Sequence, residues 1–221
     1  MGQKVRPTSL RVGVTKGWPS RWYADKQRFS EFLVEDVHIR RFIEKNYRYA
    51  AISEVEIERT KDAVHIILHT ARPGIVIGRR GVEVDRLRGR LEEMTGKPVK
   101  ITIQEVPRPE LSAKLVAQNM AEQLEKRSPF RRTMRRAVEM SRQMGALGVK
   151  VQLAGRLSGS DMARREMVIE GSIPLHTLDA DIDFGFTEAK TNYGHIGIKV
   201  WVYTGMIKKE EADDASDAQT G

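Results

Sequence analysis

The order of helical and alternating apolar patterns between residues 29 and 105 restricts the fold more than any other feature of this chain. Apolar residues recur at mostly helical spacing over residues 29–49, and an interruption near Asp36 predicts two short helices. Apolar residues then alternate with polar ones over residues 53–59 and 63–70. This alternation predicts two strands, joined as a hairpin by the polar residues between them.

A short apolar turn, a glycine loop and an amphipathic helix come next. The turn begins at Pro73-Gly74, the helix is predicted over residues 82–94, and Gly96 marks its C-terminal end. Residues 97–105 alternate again and predict a third strand. The predicted order is therefore helix, strand, strand, short helix, glycine loop, helix and strand.

The glycine loop is Gly78-Arg79-Arg80-Gly81. Glycines let a sugar–phosphate backbone approach the main chain, and the first N–H groups of the following helix face an anion held there. The two arginines add direct bonds to phosphate. A plain turn with solvated arginines is the alternative, but the flanking elements favour the loop with which KH domains clamp about four nucleotides. The chain has no Gly-Lys-Ser or Gly-Lys-Thr, so no P-loop is expected.

The second half of the chain predicts an α+β domain with an antiparallel sheet packed on two helices. Helices are expected over residues 111–126 and 129–144, separated at Ser128-Pro129. A turn at Asn192-Tyr193-Gly194 joins the last two of four expected strands. The strands cover residues 149–153, 167–173, 182–191 and 196–202.

Composition divides the chain into four parts. Basic residues among glycines make residues 1–17 a basic N-terminal arm, irregular and in need of a partner to order it. Two prolines after residue 106 mark a boundary, so the first domain is predicted over residues 18–106 and the second over 107–207. Residues 208–221 are acidic and poor in apolar residues, which predicts a disordered tail.

The second helix of the C-terminal domain carries a dense basic face. An arc of about 140° holds five arginines, diluted only by Glu139: Arg131, Arg132, Arg135, Arg136 and Arg142. Such a charge run is usually a solvated surface. The near absence of interleaved acids favours a track for phosphates instead.

The charge balance points to a polyanionic partner. Lys and Arg total 38 against 30 Asp and Glu, a net charge of +8, and the acidic C-terminus leaves the rest of the chain more basic still. An anionic membrane is the alternative, but the charge is scattered along the chain. No stretch approaches the roughly 20 apolar residues of a membrane span, so a cytoplasmic protein is expected.

No catalytic or metal site is expected. The chain has no cysteine, and its five histidines are scattered. Asp179, Asp181 and Asp183 alternate, which on a strand would gather three carboxylates suited to Mg²⁺. Pairing of these carboxylates with the many arginines is the more frequent outcome. We therefore expect neither an enzyme nor a cofactor.

Seven segments of the chain form a distinctive set. They are MGQKVRP at the start, HTARPGIVIGRRG from His69, PELSAKLVAQ from Pro109, FRRTMRRAV from Phe130, GRLSGSDMAR from Gly155, PLHTLDADIDF from Pro174 and YGHIGIKVWVYTG from Tyr193. Together they closely resemble the bacterial family of the third small-subunit ribosomal protein, a KH-domain ribosomal family. The resemblance runs in order from Met1 to about Ile207, so it covers all but the acidic tail.

The resemblance implies a KH domain of the bacterial topology (type II) and a C-terminal α+β domain. Both would be docked on ribosomal RNA in the head of the small subunit, beside ribosomal proteins ten and fourteen. It also implies a surface that helps to unwind messenger RNA where the message enters, to which Arg131, Arg132 and Arg135 correspond, and we expect Arg136 on the same face. Further contacts to ribosomal RNA are expected from the arm and the C-terminal domain, at Lys4, Arg6, Arg11, Arg156, Arg164 and Arg165.

The sequence departs from the family at Ile169, Ser172 and Asp179, where many relatives carry arginine, which lowers the expected RNA contact of this stretch. Two alternatives stay open. One is a free KH-type regulator of single-stranded RNA, for which an arm that only a fixed RNA surface can order would be useless. The other is a nuclease or lyase, which would need carboxylates around a base or a metal.

Overall fold

A computed structural model describes residues 4–207, so the predicted tail of residues 208–221 lies outside the described residues. Two four-stranded sheets each have their own apolar core, and helices pack on both sheets. The predicted α+β class is confirmed. The last strand of the first sheet ends before the two prolines, and we keep the boundary between residues 106 and 107 as a proposal.

The first sheet has the topology of a type II KH domain. Helix α1 (Pro7–Arg11) precedes this domain, whose elements are β1 (Ser20–Arg21), α2 (Lys26–Asn46), β2 (Ile52–Arg59), β3 (Val64–Thr70), α3 (Pro73–Ile77), α4 (Val82–Thr95) and β4 (Val99–Glu105). The strand order is β1-β2-β3-β4, in which β2 and β3 form the predicted antiparallel hairpin and β4 runs parallel to β3. The sequence did not predict β1, which pairs with β2 over only two residues.

Helix α2 is a single helix of 21 residues, so the prediction of two short helices was wrong. The interruption was placed at Asp36, which is buried at 3% exposure in the middle of the helix. Its carboxylate accepts hydrogen bonds from Ser20 Oγ at 2.8 Å and Trp22 Nε1 at 2.9 Å. It also accepts two from Arg59, at 2.9 and 2.6 Å. A charged residue therefore occupies a core position because its partners satisfy every oxygen.

The second sheet has the order β6-β5-β8-β7 with all neighbours antiparallel. Its elements are α5 (Ala113–Glu125), α6 (Phe130–Gln143), β5 (Gly148–Gly155), β6 (Arg164–Gly171), β7 (Ala180–Thr191) and β8 (Gly194–Met206). The two helices pack on one face of the sheet, as predicted. Helix α5 lies close against β7 at Gly185, where a Cβ atom would come within 2.2 Å of the Ala113 carbonyl oxygen.

The N-terminal arm folds onto the C-terminal domain, so the prediction of an irregular arm in need of an external partner was wrong. Helix α1 packs against β7, and Arg11 is completely buried. The Arg11 guanidinium donates to the carbonyls of Ala180 at 2.8 Å, Pro7 at 3.0 Å and Thr177 at 2.7 Å, with longer bonds to Leu175 and Pro174. The protein itself therefore supplies the surface that orders the arm.

None of the helices between residues 4 and 207 is long and apolar enough to cross a membrane.

Candidate nucleic-acid interface

The Gly-Arg-Arg-Gly loop is shaped by positive φ angles between α3 and α4. Gly78 and Gly81 have φ of 70° and 82°, and Arg80 also lies in the left-handed region at 56°. At Gly78 a Cβ atom would lie 2.6 Å from the Glu83 side chain, so glycine is required there. Arg79 and Arg80 are exposed, and neither side chain has a partner among the described residues. The loop therefore presents two unpaired cations next to Gly81, where no atom outside the adjoining residues lies within 4 Å of the position that a Cβ would take.

The first turn of α4 carries two carboxylates beside this loop. Gly81 is the N-cap and leaves the first amides of the helix without a side-chain partner. Glu83 and Asp85 lie in that turn, where negative charge stabilises the helix, and Asp85 also pairs with Arg88 at 3.4 Å. These carboxylates offset the partial positive charge at the N-terminus of α4. The arginines therefore provide most of the attraction for a phosphate.

Exposed apolar side chains flank the loop, and sequence analysis missed them. Ile75 and Ile77 of α3 and Val82 of α4 are all more than 40% exposed. Unpaired bases can rest on apolar surface beside a loop that holds their backbone. From the sequence these residues are indistinguishable from core residues, because periodicity gives a helix face but not its exposure.

Helix α6 presents four free arginines on one side. Arg131, Arg132, Arg135 and Arg136 are exposed, and no ion pair to them exists within residues 4–207. We call these four residues the arginine face. The fifth predicted member, Arg142, does not belong to it, since Arg142 donates to the Ala146 carbonyl at 2.7 Å and lies 3.4 Å from Glu170 Oε1.

Phe130 connects the arginine face to the edge strand β6. The guanidinium carbons of Arg131 and Arg164 lie 5.7 and 5.6 Å from the centre of the Phe130 ring. Arg165 follows on the same strand and is exposed. Residues predicted separately from the sequence are therefore brought together, and the cationic surface extends from α6 onto β6.

Two of the arginines expected to contact RNA make bonds within the fold, and for Arg11 these bonds exclude a contact with RNA. The buried guanidinium of Arg11 is surrounded by carbonyls, which removes it from the predicted contact set. Arg156 donates to the Ser160 carbonyl at 2.8 Å, lies 3.4 Å from Asp161 and packs 5.8 Å from the Tyr193 ring centre. Its guanidinium thus holds a loop against the hairpin tip.

The remaining predicted arm residues, Lys4 and Arg6, lie beside an aromatic row on the outer face of the second sheet. Lys150, Trp201 and Phe184 are cross-strand neighbours on β5, β8 and β7. The Lys150 ammonium lies 4.9 Å from the Trp201 ring, and Arg6 lies 6.0 Å from Phe184. Burial lowers the pKa of Lys150, and the charge of Lys4 lowers it further. Sequence analysis missed this row because alternation does not give strand register.

The alternating aspartates are engaged in the fold. Asp183 accepts a hydrogen bond at 2.7 Å from the Ala113 amide at the start of α5. Asp181 accepts one at 2.7 Å from Thr204 Oγ1, and Lys16 lies 3.8 Å from Asp181 and 3.9 Å from Asp183. Within residues 4–207, no three His, Asp or Glu side chains form a group that could hold a metal ion. The carboxylates of Asp181 and Asp183 thus face a lysine and polar groups rather than arginines.

The type II KH sheet, its exposed Gly-Arg-Arg-Gly loop and the arginine face define the class: a KH-domain RNA-binding protein. The KH domain family matches residues 38–111, and the family described as ribosomal protein S3, C-terminal domain, matches residues 120–202. The chain belongs to the ribosomal protein S3 family, as the resemblance implied.

Full-length relatives support this assignment. The small ribosomal subunit protein uS3 of Rhodopirellula baltica is 52% identical over 100% of this chain and 95% of its own length. That of Desulforamulus reducens is 52% identical over 98% of both chains. That of Pediococcus pentosaceus is 53% identical over 96% of this chain and 95% of its own. The family is structural and non-enzymatic, which confirms the expectation of no enzyme and disfavours the nuclease alternative.

Proposed function

We propose that this protein binds ribosomal RNA in the head of the small subunit and presents its arginine face to messenger RNA where the message enters. As a family member, the chain is a structural constituent of the small ribosomal subunit, bound to ribosomes in the cytoplasm. The proposed contact with messenger RNA rests on one observation: the four arginines of the arginine face are exposed and have no carboxylate partner among the described residues.

The arginine face would act on the message as a passive helicase. Like charges one helical turn apart repel by a few tenths of a kcal/mol per pair, and bound phosphates relieve this repulsion. A separated strand is flexible enough to place successive phosphates on Arg131, Arg132 and Arg135, whereas a rigid duplex is not. The cations therefore favour the unpaired strand, and translocation by the ribosome supplies the energy.

The other cationic groups fit contacts to ribosomal RNA. Lys4, Arg6, Arg164 and Arg165 are exposed. Phosphate contacts by such residues fix position and orientation on RNA without reading its sequence. We retain ribosomal proteins ten and fourteen as proposed neighbours, and we propose that the Gly-Arg-Arg-Gly loop holds single-stranded RNA.

Charge reversal tests the arginine face. Replacing Arg131, Arg132 and Arg135 by Glu should slow ribosomes on a message with a stable hairpin but not on an unstructured message, with subunit assembly largely intact. The matched control reverses three exposed cations of α2: Arg28, Arg41 and Lys45. The measurement is the translation rate of reconstituted ribosomes on both messages. Unchanged hairpin rates in the α6 variant would refute the assignment.

A salt titration tests the KH loop. The full-length variant Arg79→Asp with Arg80→Asp should bind short single-stranded RNA more weakly. Its log–log salt dependence should be shallower by about 1.4, because each lost phosphate contact removes about 0.7 for single strands. Arg86→Asp with Arg90→Asp, two exposed positions on α4, makes the same charge change away from the loop. Equal affinities and slopes for the loop variant and the wild type would mean that the loop is only a turn.

A further inference from the structure

A cavity of about 410 Å³ opens beside the first turn of α6, and we call it the α6 cavity. Three segments of the C-terminal domain line it: the turn between α5 and α6, the 3₁₀ turn Leu157–Gly159 after β5, and the tip of the β7–β8 hairpin. Its volume lies within the roughly 300–1,000 Å³ of sites for small organic ligands. The cavity therefore has room for a molecule the size of one nucleotide.

An exposed aromatic ring lines the cavity at the hairpin tip. Tyr193 is 58% exposed, so a ligand in the cavity can reach its ring. The fold holds this ring in place: a Cβ at Gly159 would lie 2.9 Å from Tyr193 Cε2, and the Arg156 guanidinium carbon lies 5.8 Å from the ring centre. Nucleic-acid bases stack on such rings with little regard to sequence, because every base has a π-face.

A cation lines the cavity from a position that usually holds glycine. Arg127 follows α5 in the left-handed region at φ 61°. The Arg127 amide donates to the Leu124 carbonyl at 2.9 Å, and the next amide donates to that of Gln123 at 3.0 Å. This pair of bonds is the Schellman motif that ends many helices, in which glycine avoids the strain of a Cβ. The Arg127 side chain is exposed and has no partner among the described residues, so it can bind an anion.

Backbone strain is concentrated at this cavity. Within residues 4–207, four residues other than glycine have positive φ, and two of them, Arg127 and Ser158, line the cavity. Such conformations are unfavourable for residues with a Cβ, and they cluster at sites that bind ligands. The two strained residues therefore agree with the cavity and the open ring in indicating a ligand site.

The charge at the cavity is positive. Among the described residues that line it, the one carboxylate is that of Glu125. Glu125 Oε1 lies 3.3 Å from Arg48 Nη2 and accepts a hydrogen bond from the Lys190 amide at 3.3 Å. Pairing with Arg48 offsets the charge of Glu125, so Arg127 is left to attract an anionic ligand.

The cavity and the arginine face share Phe130. This residue lines the cavity, and the Arg131 guanidinium carbon lies 5.7 Å from the centre of its ring. Arg164 of β6 lies 5.6 Å from the same centre. An RNA strand that places a phosphate on Arg131 is thereby next to the cavity.

We propose that the α6 cavity takes one unpaired nucleotide of the RNA strand held by the arginine face. The base stacks on Tyr193, and a phosphate pairs with Arg127. This inference rests on the proposed binding of messenger RNA by the arginine face and deepens it. A base in the cavity cannot pair with another strand, so the cavity retains the unpaired state that the arginines favour. Stacking accepts every base, so the site reads no sequence.

Binding of two matched hexamers to the full-length protein tests the base contact. One is labelled CACACA, and the other is the same ribose–phosphate backbone without bases. Fluorescence anisotropy at fixed salt gives both Kd values, in a protein with Arg79→Asp and Arg80→Asp so that binding at the KH loop is weakened. Tyr193→Ala should weaken CACACA about fivefold or more, the low end of the contribution of one stacked base, and leave the abasic strand unchanged. Tyr193→Phe should keep the affinity for CACACA.

Tyr23→Ala is the matched control, because Tyr23 is 91% exposed and lies outside the cavity lining. It should leave both affinities unchanged. An unchanged affinity of Tyr193→Ala for CACACA, or an equal loss for both strands, would overturn the proposal. Competition by free AMP as strong as that by CACACA would assign the cavity to a free nucleotide and would overturn the RNA strand as its ligand.

Arg127→Gly tests the phosphate contact without a cost in folding. Glycine suits φ 61°, so this variant should be at least as stable as the wild type in thermal unfolding. It should bind both hexamers more weakly, with a log–log salt dependence shallower by about 0.7, the value of one phosphate contact on a single strand. Lys126→Ala removes the neighbouring exposed cation, which lies outside the cavity lining, and should keep the slope. Unchanged affinity in Arg127→Gly, or the same change in Lys126→Ala, would overturn the phosphate contact.

The two proposals can fail separately. Charge reversal at Arg131, Arg132 and Arg135 should weaken both hexamers alike. If the arginine face does not bind RNA, both affinities and the hairpin rates will survive this reversal. If the cavity does not take a base, the reversal will still weaken binding, and only the effect of Tyr193→Ala will be missing.

Discussion

Replacement of Arg11 by alanine should release the N-terminal arm while the rest of the C-terminal domain stays folded. The guanidinium makes three bonds of 3.0 Å or less to backbone carbonyls, those of Ala180, Pro7 and Thr177. The bond to Pro7 lies within α1, so the bonds to Ala180 and Thr177 are the two that hold the arm on the domain. A hydrogen bond with a charged partner contributes about 1.5–3 kcal/mol, so at the low end these two hold the arm with about 3 kcal/mol. The arm is terminal, and water can solvate the carbonyls once it leaves, which limits the loss to a local opening.

Hydrogen exchange followed by mass spectrometry measures this opening directly. The amides of Thr15 and Lys16 donate to the Arg11 carbonyl at 3.1 and 3.0 Å, so they are protected only while the arm is folded. A loss of about 3 kcal/mol corresponds to exchange about 10²-fold faster across residues 7–16. Arg6→Ala is the control, because Arg6 is exposed and makes only a ring contact with Phe184. Unchanged exchange in Arg11→Ala, or the same change in Arg6→Ala, would refute the reasoning.

Two further substitutions test the packing of each domain. Asp36→Ala should lower the free energy of unfolding by about 3 kcal/mol in urea titration, because the Arg59 side chain, 3% exposed, keeps only Glu35 as an acidic partner; a loss below about 1 kcal/mol would contradict this. Gly185→Ala should cost about 1–3 kcal/mol by the same measurement, since the new Cβ would lie 2.2 Å from a backbone oxygen of α5. At Gly197 the nearest atom to such a Cβ is 3.7 Å away, so Gly197→Ala should change stability by less than about 0.5 kcal/mol, and equal effects at both glycines would contradict the packing.

Apolar periodicity was sufficient to predict most helices and strands, because it reports directly which face of each element is buried. The two errors have a common physical cause. Asp36 and Arg11 are charged residues in buried positions, and each is satisfied by partners distant in the sequence: Arg59 is 23 residues from Asp36, and Ala180 is 169 from Arg11. A charge whose partner is remote looks like a break or a solvated surface when only neighbouring residues are considered.

The same limit decides how much of the candidate interface could be predicted. The arginine face follows from helical geometry alone, since neighbours on a helix are fixed by spacing. Arg142 could not be separated from it, because its partner Glu170 lies on β6, and strand pairing determines their distance. A cleft lined by both Arg72 and Gln118 lies between the two domains and could not be predicted at all, because its two sides come from different domains.

The folded arm changes how binding by its cations should be understood. A disordered arm that folds on RNA loses conformational entropy during binding, which lowers affinity for a given contact area. Here Arg11 orders the arm in the protein alone, so that entropy is lost during folding instead. Lys4 and Arg6 are consequently held on the outer face of the second sheet before any partner arrives, where the charge of Lys4 adds to the effect of burial in lowering the pKa of Lys150. In the proposed complex with ribosomal RNA, the buried arginine would therefore serve binding without touching RNA, by fixing Lys4 and Arg6 in advance.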